Sequence, residues 1–299
     1  MNSIDIESKK FLGQPKNFVS IFNALLFDGK QVLKPEYLKD ENSELVMNVS
    51  SKHVDIIKRY EDGTYLDLFV IESQSYVDPS MVARVMEYES VARMRYIRQN
   101  FKKHVPMHTR FPMILTVVLY VGESKWNAAK RLSELEIIHP GFEDMFNEFK
   151  LNLIELNTNH KYNTGEKATQ DFFDLLRMIY RKQILKEDLD REFNRDALHF
   201  AYVVTKNKEL LNIYQESEKG DVKVCRALDE MFEESTNKGI QMGIKQGIEQ
   251  GIEQGIEQGS EKKELEMYRK MMDKGFEIKT IASIFSVSEE SIKKLLMKA

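Results

Sequence analysis

The residues with the most specific chemical promise stand at the end of an apolar run. YLDLFVI, residues 65–71, has the composition of a buried strand, yet it continues as Glu72-Ser73-Gln74. Side chains alternate along a strand, so Glu72 and Gln74 share a face with Val70. Buried polar groups must find partners, or they cost several kcal/mol. The preceding HVDIIKRY also alternates, and EDGT between the two runs carries an Asp-Gly pair suited to a tight hairpin turn. With the turn at Asp62-Gly63, Tyr60 faces Tyr65 and Asp55 falls opposite Val70, diagonal to Glu72. A loop from Glu61 to Thr64 gives the same register. Diagonal neighbours lie roughly 7–8 Å apart, a gap two acidic side chains can close around one ion. A slip of one residue would send Asp55 to the other face.

Two converging carboxylates repel each other unless a cation sits between them. Oxygen ligands suit Mg²⁺ or Mn²⁺. The Ser73 backbone carbonyl, between the two side chains in sequence, is the expected third ligand. Such an ion turns a water into a nucleophile and offsets charge growing on a phosphate. Gln74 would orient that water or a phosphate oxygen, since an amide is no strong base. The rival reading is a sheet edge in water. Asp67, on the opposite face, reads as surface, and His53 likewise.

Elements that could hold such a site are legible around it. QPKNFVSIFNALLFDG, residues 14–29, spaces its apolar residues as a helix ending at Gly29. Asp78-Pro79 opens a long helix, PSMVARVMEYESVARMRYIRQNF. FPMILTVVLYVG is apolar nearly throughout, like a central strand covered on both faces. A helix is expected over WNAAKRLSELE and a strand over FKLNLIEL. From about Thr169 the chain reads helical, through DFFDLLRMIYRKQI, ALHFAYVVTKNKELLNIYQ and VCRALDEMFEEST.

Composition narrows the classes. Among 299 residues there is one cysteine, Cys225, so neither an intrachain disulfide framework nor a cysteine zinc cluster can form. The opening MNSIDIESKK lacks a signal-peptide stretch, and no apolar run reaches membrane-span length. The expected location is the cytoplasm, with no membrane partner. The net charge of −4 means that any basic footprint for nucleic acid must be local.

The tail is a different material. GIQMGIKQGIEQGIEQGIEQG repeats a Gly-Ile tetrad from Gly239 to Gly259. Glycine every fourth residue disfavours helix by about 1 kcal/mol each relative to alanine. A period of four makes the Ile stripe drift by about 40° per tetrad. Two readings stand equally: a self-association arm, in which Gly admits a close backbone and Ile fills the gap, or a tandem-repeat spacer. IASIFSVSEESIKKLL then reads as two short helices around a turn capped by Ser286 or Ser288, resembling a helix-turn-helix in which Lys293, Lys294 and Lys298 could touch phosphate.

An Asp on one hairpin strand, Glu-x-Gln late in the next, then Asp-Pro and a helix resembles the PD-(D/E)XK nuclease superfamily. More narrowly, VIESQSYVDPSMVARVMEY resembles the signature of the bacterial recombination-promoting nucleases and PD-(D/E)XK transposase-like proteins. FPMILTVVLYVGESKW and IFNALLFDGKQVLKPEYL are similar to neighbouring blocks of that group, and the tetrad tail is common in it. The resemblance spans most of residues 15–240, plus the tail. It implies a metal-dependent DNA endonuclease with Asp55 and Glu72 as ligands and Gln74 where the wider superfamily has Lys. That exchange removes a positive charge near the transition state. Where a first-helix acidic ligand sometimes stands, this chain has Asn23. Arg84 and Tyr88, one turn apart on the helix after the site, are candidates for phosphate contact.

The expected fold is α/β, a restriction-endonuclease-like core with a mixed sheet of four or five strands flanked by helices, plus a helical C-terminal extension. Residues 1–168 would form the nuclease-like core, 169–238 a helical extension, 239–260 the repeat arm and 261–299 a small helical end. The partners expected are DNA and a second copy, through the arm. The alternatives are a binding module that kept the fold and lost the chemistry, and an assembly protein whose function lies in the tail.

Overall fold

In the structure, a computed structural model, residues 3–40, 56–64, 66–217 and 220–297 are described. Asp55, His53, Tyr65 and Lys298 lie outside them. Residues 1–230 and 231–299 form two compact units.

The first unit is built on a five-stranded mixed sheet. Its strands are β1 (Leu38–Asp40), β2 (Ile56–Glu61), β3 (Leu66–Gln74), β4 (Met113–Tyr120) and β5 (Asn152–Glu155), in that spatial order. The first three pair antiparallel; β3, β4 and β5 run parallel. A parallel step needs a crossover, and the helix α3 (Met81–Asn100) supplies it between β3 and β4. Its residues Tyr88 and Ala92 pack with Ile57, Leu68, Val70 and Ile114, which fixes one face of the sheet. Phe69 and Tyr60 point to the other face, where Phe22 of α2 (Pro15–Phe27) stacks on Phe69. Buried on that side, Lys58 finds its counter-charge in Asp40, 2.6 Å away.

The expected α2 is present, closing with Asp28 in the left-handed region and Gly29 at φ 78°. The β2–β3 register differs from the expectation by two residues. Val70 faces Ile57, and Tyr60 faces Asp67. The cause lies in the turn: the last pair is Glu61–Leu66, Gly63 takes φ 90°, and the Thr64 N–H bonds the Asp62 carboxylate at 2.9 Å. An even shift leaves every β3 side chain on its expected face.

No α-helix forms over WNAAKRLSELE, only a short 3-10 turn at Leu132–Glu134. Its backbone bonds outward instead: Leu132 N–H to Phe149, Leu151 N–H to Lys130, and a bridge pairs Arg131 with Lys150. Burying Leu132 and Trp126 beside β4 took precedence over helix periodicity. Asp67 is half-buried rather than surface, and its carboxylate accepts the Met113 N–H.

Behind the sheet come α1 (Ser3–Leu12), α4 (Lys167–Arg181), α5 (Arg195–Thr205) and α6 (Lys208–Glu216). Phe11, Phe172 and Phe200 form their aromatic centre. The stretch read as one helix over ALHFAYVVTKNKELLNIYQ divides at Lys206, which adopts φ 56°. A two-residue ladder of β6 (Glu192–Phe193) and β7 (Val222–Lys223) follows. The fully buried Asp171 is met by Arg191 at 2.6 Å and Lys167 at 2.7 Å, while Arg191 also pairs with Asp174. Cys225 is buried, and burial pushes its thiol up to about 12.

One 49-residue helix, α7 (Cys225–Asp273), carries the tetrads. In the second unit α8 (Ile278–Phe285) and α9 (Glu289–Met297) close on its end around Tyr268, Ile281 and Ile292. Ser288, not Ser286, caps α9, accepting the Ser291 N–H at 3.1 Å. Ser286 ends α8 in the left-handed region. Among the described residues no helix is long and apolar enough to cross a membrane.

Candidate active site

The C-terminal end of β3 is where polar chemistry enters the sheet. Glu72 and Gln74 are both buried and lie on the α3 face, next in the alternation after Leu68 and Val70. Across β4 they pair with Val118 and Tyr120. Gln74, Tyr120 and Glu155 form one row through three strands, since Tyr120 pairs with Glu155 in turn. The Gln74 Nε2 is buried without a hydrogen-bond partner. Leaving a buried amide donor unpaired is unfavourable by about 1–3 kcal/mol. Such a group is what a site awaiting a substrate atom or water would carry.

Glu72 meets Arg84 of α3, whose Nη2 lies 3.0 Å from Oε1. The same guanidinium donates from Nη1 to Asp78 Oδ2 at 2.5 Å, and to the Tyr88 hydroxyl from Nη2 and Nε. Asp78 in turn accepts from the Ser80 amide and hydroxyl, which fastens the start of α3. Burial pushes the Asp78 carboxyl up, but the bonds from Ser80 and Arg84 outweigh it and hold it below the ordinary carboxylate range. Burial, opposed by the Arg84 bond, raises the Tyr88 phenol. The sequence pointed to Arg84 and Tyr88 beside Glu72. It did not point to Asp78, although an acid six residues before Arg84, across the first turn of a helix, was the available signal.

The other expected residues are placed elsewhere. Asn23 is fully buried on α2, with both ends of its amide bonded to the Leu33 backbone at 2.9 Å. It covers the Phe69 side, away from Glu72. The Ser73 side chain also turns to that side, its Oγ 3.4 Å from Ser8 Oγ. Asp55 lies outside the described residues. Among the described residues no three His, Cys, Asp or Glu side chains converge to hold a metal. On the α3 face of β3 the donors, one carboxylate and one amide oxygen, suit a hard cation in kind but fall short in number, and the nearby Asp78 is engaged by Ser80 and Arg84. A complete site therefore needs a further carboxylate.

A cleft of about 530 Å³ opens just past the strand ends, lined by Ser75, Tyr76, Tyr120, Glu123 and Lys125. In parallel sheets, ligands bind beyond the carboxyl ends of the strands. Beside it the chain passes tightly at Gly122: a Cβ there would stand 2.5 Å from the Tyr120 hydroxyl and 2.7 Å from the Ser75 carbonyl. Asn157 holds this loop by donating to the carbonyls of Gly122 and Glu123, each at 3.0 Å.

A mixed sheet with its acidic and amide residues late in the third strand, flanked by helices on both faces, fits the PD-(D/E)XK-like transposase group. Residues 9–210 match the family described as "Putative transposase, YhgA-like", and the chain belongs to that family, which is part of this group. Comparison with curated proteins and with solved structures gave no match.

Proposed function

We propose that this chain is a Mg²⁺- or Mn²⁺-dependent DNA endonuclease of the recombination-promoting kind, acting in recombination, mobile-element movement or defence. The observation that carries the reading is the buried pair Glu72 and Gln74, on one face at the end of β3, in a chain of a transposase family. Glu72 is one ligand and Asp55 is the second; the Ser73 carbonyl is the third. When bound, the ion lowers the pKa of a water and offsets charge on the scissile phosphate. Gln74 turns its unpaired N–H toward that water or a phosphate oxygen. Arg84 orients the Glu72 carboxylate, and its charge stands in for part of what a lysine at position 74 would supply. DNA is the partner, and a second copy joined through the tetrad arm would bring a second cutting site. The cytoplasm is the proposed location.

The Arg84–Glu72 pair also favours a second reading. A guanidinium already neutralises the carboxylate, so the site could hold DNA without cutting it.

Digestion of supercoiled and linear DNA by wild type and Glu72→Ala, with Mg²⁺ or Mn²⁺, separates the two. Cleavage by wild type and none by Glu72→Ala supports the nuclease. Equal digestion by both proteins, or by neither, contradicts it.

A further inference from the structure

The chain is acidic overall, yet one stretch is not. Between Glu89 and Glu123 no Asp or Glu occurs, while Arg93, Arg95, Arg98, Lys102, Lys103 and Arg110 all fall there. The last turn of α3 and the loop to β4, FKKHVPMHTR, hold most of them. Lys102, Lys103, His104, His108 and Arg110 are exposed, as is Arg98. Arg95 and Arg98 stand three residues apart, hence as neighbours on the helix surface.

Several cations elsewhere in this unit are neutralised. Lys58, Arg84, Lys130, Lys167, Arg177, Arg191 and Arg226 each have a carboxylate partner. Arg95, Arg98, Lys102, Lys103 and Arg110 have none among the described residues. A helix C-terminus accounts for Arg98, whose charge complements the helix dipole. It does not account for Lys102, Lys103 and Arg110, which lie beyond the helix. At the tip of the loop Met107 is 86% exposed, between Pro106 and a His108 at φ 70°.

We infer that the end of α3 and residues 101–110 form a duplex-DNA docking surface that grips the phosphate backbone at a distance from the Glu72 site. The inference rests on reading the chain as DNA-acting, but not on its cutting DNA. Unneutralised, exposed cations on an acidic chain match a polyanion, and counterion release supplies the binding free energy. The placement along the sheet is informative. The loop enters β4 at Met113, five residues before Val118, the partner of Glu72. At the rise of a strand that is about 17 Å. DNA held by the loop and reaching Glu72 would be gripped several base pairs from the scissile bond, which makes the surface an anchor rather than part of the cutting site.

The test is anisotropy of a labelled duplex of about 30 base pairs in EDTA, titrated with the full chain across a series of salt concentrations. The variant is Lys102→Gln/Lys103→Gln/Arg110→Gln. The control, Lys102→Arg/Lys103→Arg/Arg110→Lys, keeps the charge, and thermal unfolding confirms that both fold. The expected result is binding at least about tenfold weaker in the Gln variant. Its slope of log affinity against log salt should fall by about 3, close to 0.9 for each phosphate left without its cation, with the control near wild type. Unchanged affinity and slope in the Gln variant overturns the inference. So does a wild type that ignores duplex DNA but binds phosphatidylserine vesicles. A chain that binds through these residues and never cuts keeps this inference and loses the nuclease reading. A chain that cuts with Mn²⁺, and binds and cuts undiminished after the substitutions, does the reverse.

Discussion

Arg84 is the side chain on which the candidate site turns. Its guanidinium is spread over Glu72, Asp78 and Tyr88, so three groups each lose a bond if it is removed. Breaking a buried pair from one side costs about 3–5 kcal/mol, because the carboxylate left behind is uncompensated. Arg84→Met should therefore lower denaturant stability by about that amount in EDTA. If Glu72 is a metal ligand, Mn²⁺ should restore part of the loss in Arg84→Met while changing wild type little. A loss that Mn²⁺ leaves untouched would remove Glu72 from the ligand set. Glu89 makes a separate prediction. Burial, against a bond from the Thr116 N–H, pushes its carboxyl above the unfolded value of 4.5. The protonated form thus favours the fold. Its contribution is complete below 4.5 and is lost as pH rises through the folded value. Glu89→Gln keeps an acceptor for Thr116 and drops the charge. It should melt above wild type at about pH 8 and match it at about pH 3.5, in thermal scans at the two pH values.

Between elements, the decisive joints are where strands end unevenly. β5 begins opposite Val117, so β4 runs on without it toward Met113. Side chains take over: Glu89 accepts the Thr116 N–H and Asn152 donates to the Thr116 carbonyl. In the helical part, Arg191 ties α4 to the loop before β6 by meeting Asp171 and Asp174. Arg191→Met should cost about 3–5 kcal/mol in denaturant unfolding, while Arg226→Met, an exposed pair, costs under about 1 kcal/mol. Equal effects would mean that Asp171 is satisfied without Arg191. Period and turn chemistry made most of these elements legible beforehand. The run FPMILTVVLYVG, apolar on both faces, became central β4, and Asp78-Pro79 opened α3. Two of the readings that failed show the physical reasons most plainly. The hairpin register depended on how many residues the Asp-Gly turn consumes, which side-chain bonding of Asp62 decided. WNAAKRLSELE carries helical spacing, but backbone pairing with residues 149–151 held it irregular. Glu72 and Gln74 were legible because alternation survives an even slip; Asp78 was not, because its partner is set by how α3 docks.

For the whole molecule the open question is the arm. Ile240, Ile244, Ile248, Ile252 and Ile256 stand 55–68% exposed along α7, and a Cβ on any of the tetrad glycines would meet nothing. A single helix so rich in Gly is weakly stable alone. A partner helix against that stripe would bury both residue types, which is the assembly proposed above. Deleting residues 239–299 should convert an oligomer into a monomer in light scattering, with the fold of residues 1–230 intact by circular dichroism. An unchanged mass would leave the tetrads as a spacer.

Everything chemical depends on Asp55 and Glu72 holding one ion, and calorimetric titration with Mn²⁺ tests that without requiring turnover. Wild type should bind one equivalent per chain, and Asp55→Ala and Glu72→Ala should each abolish that binding while remaining folded. Binding that persists undiminished in either variant, or no binding by wild type in the presence of DNA, contradicts the account.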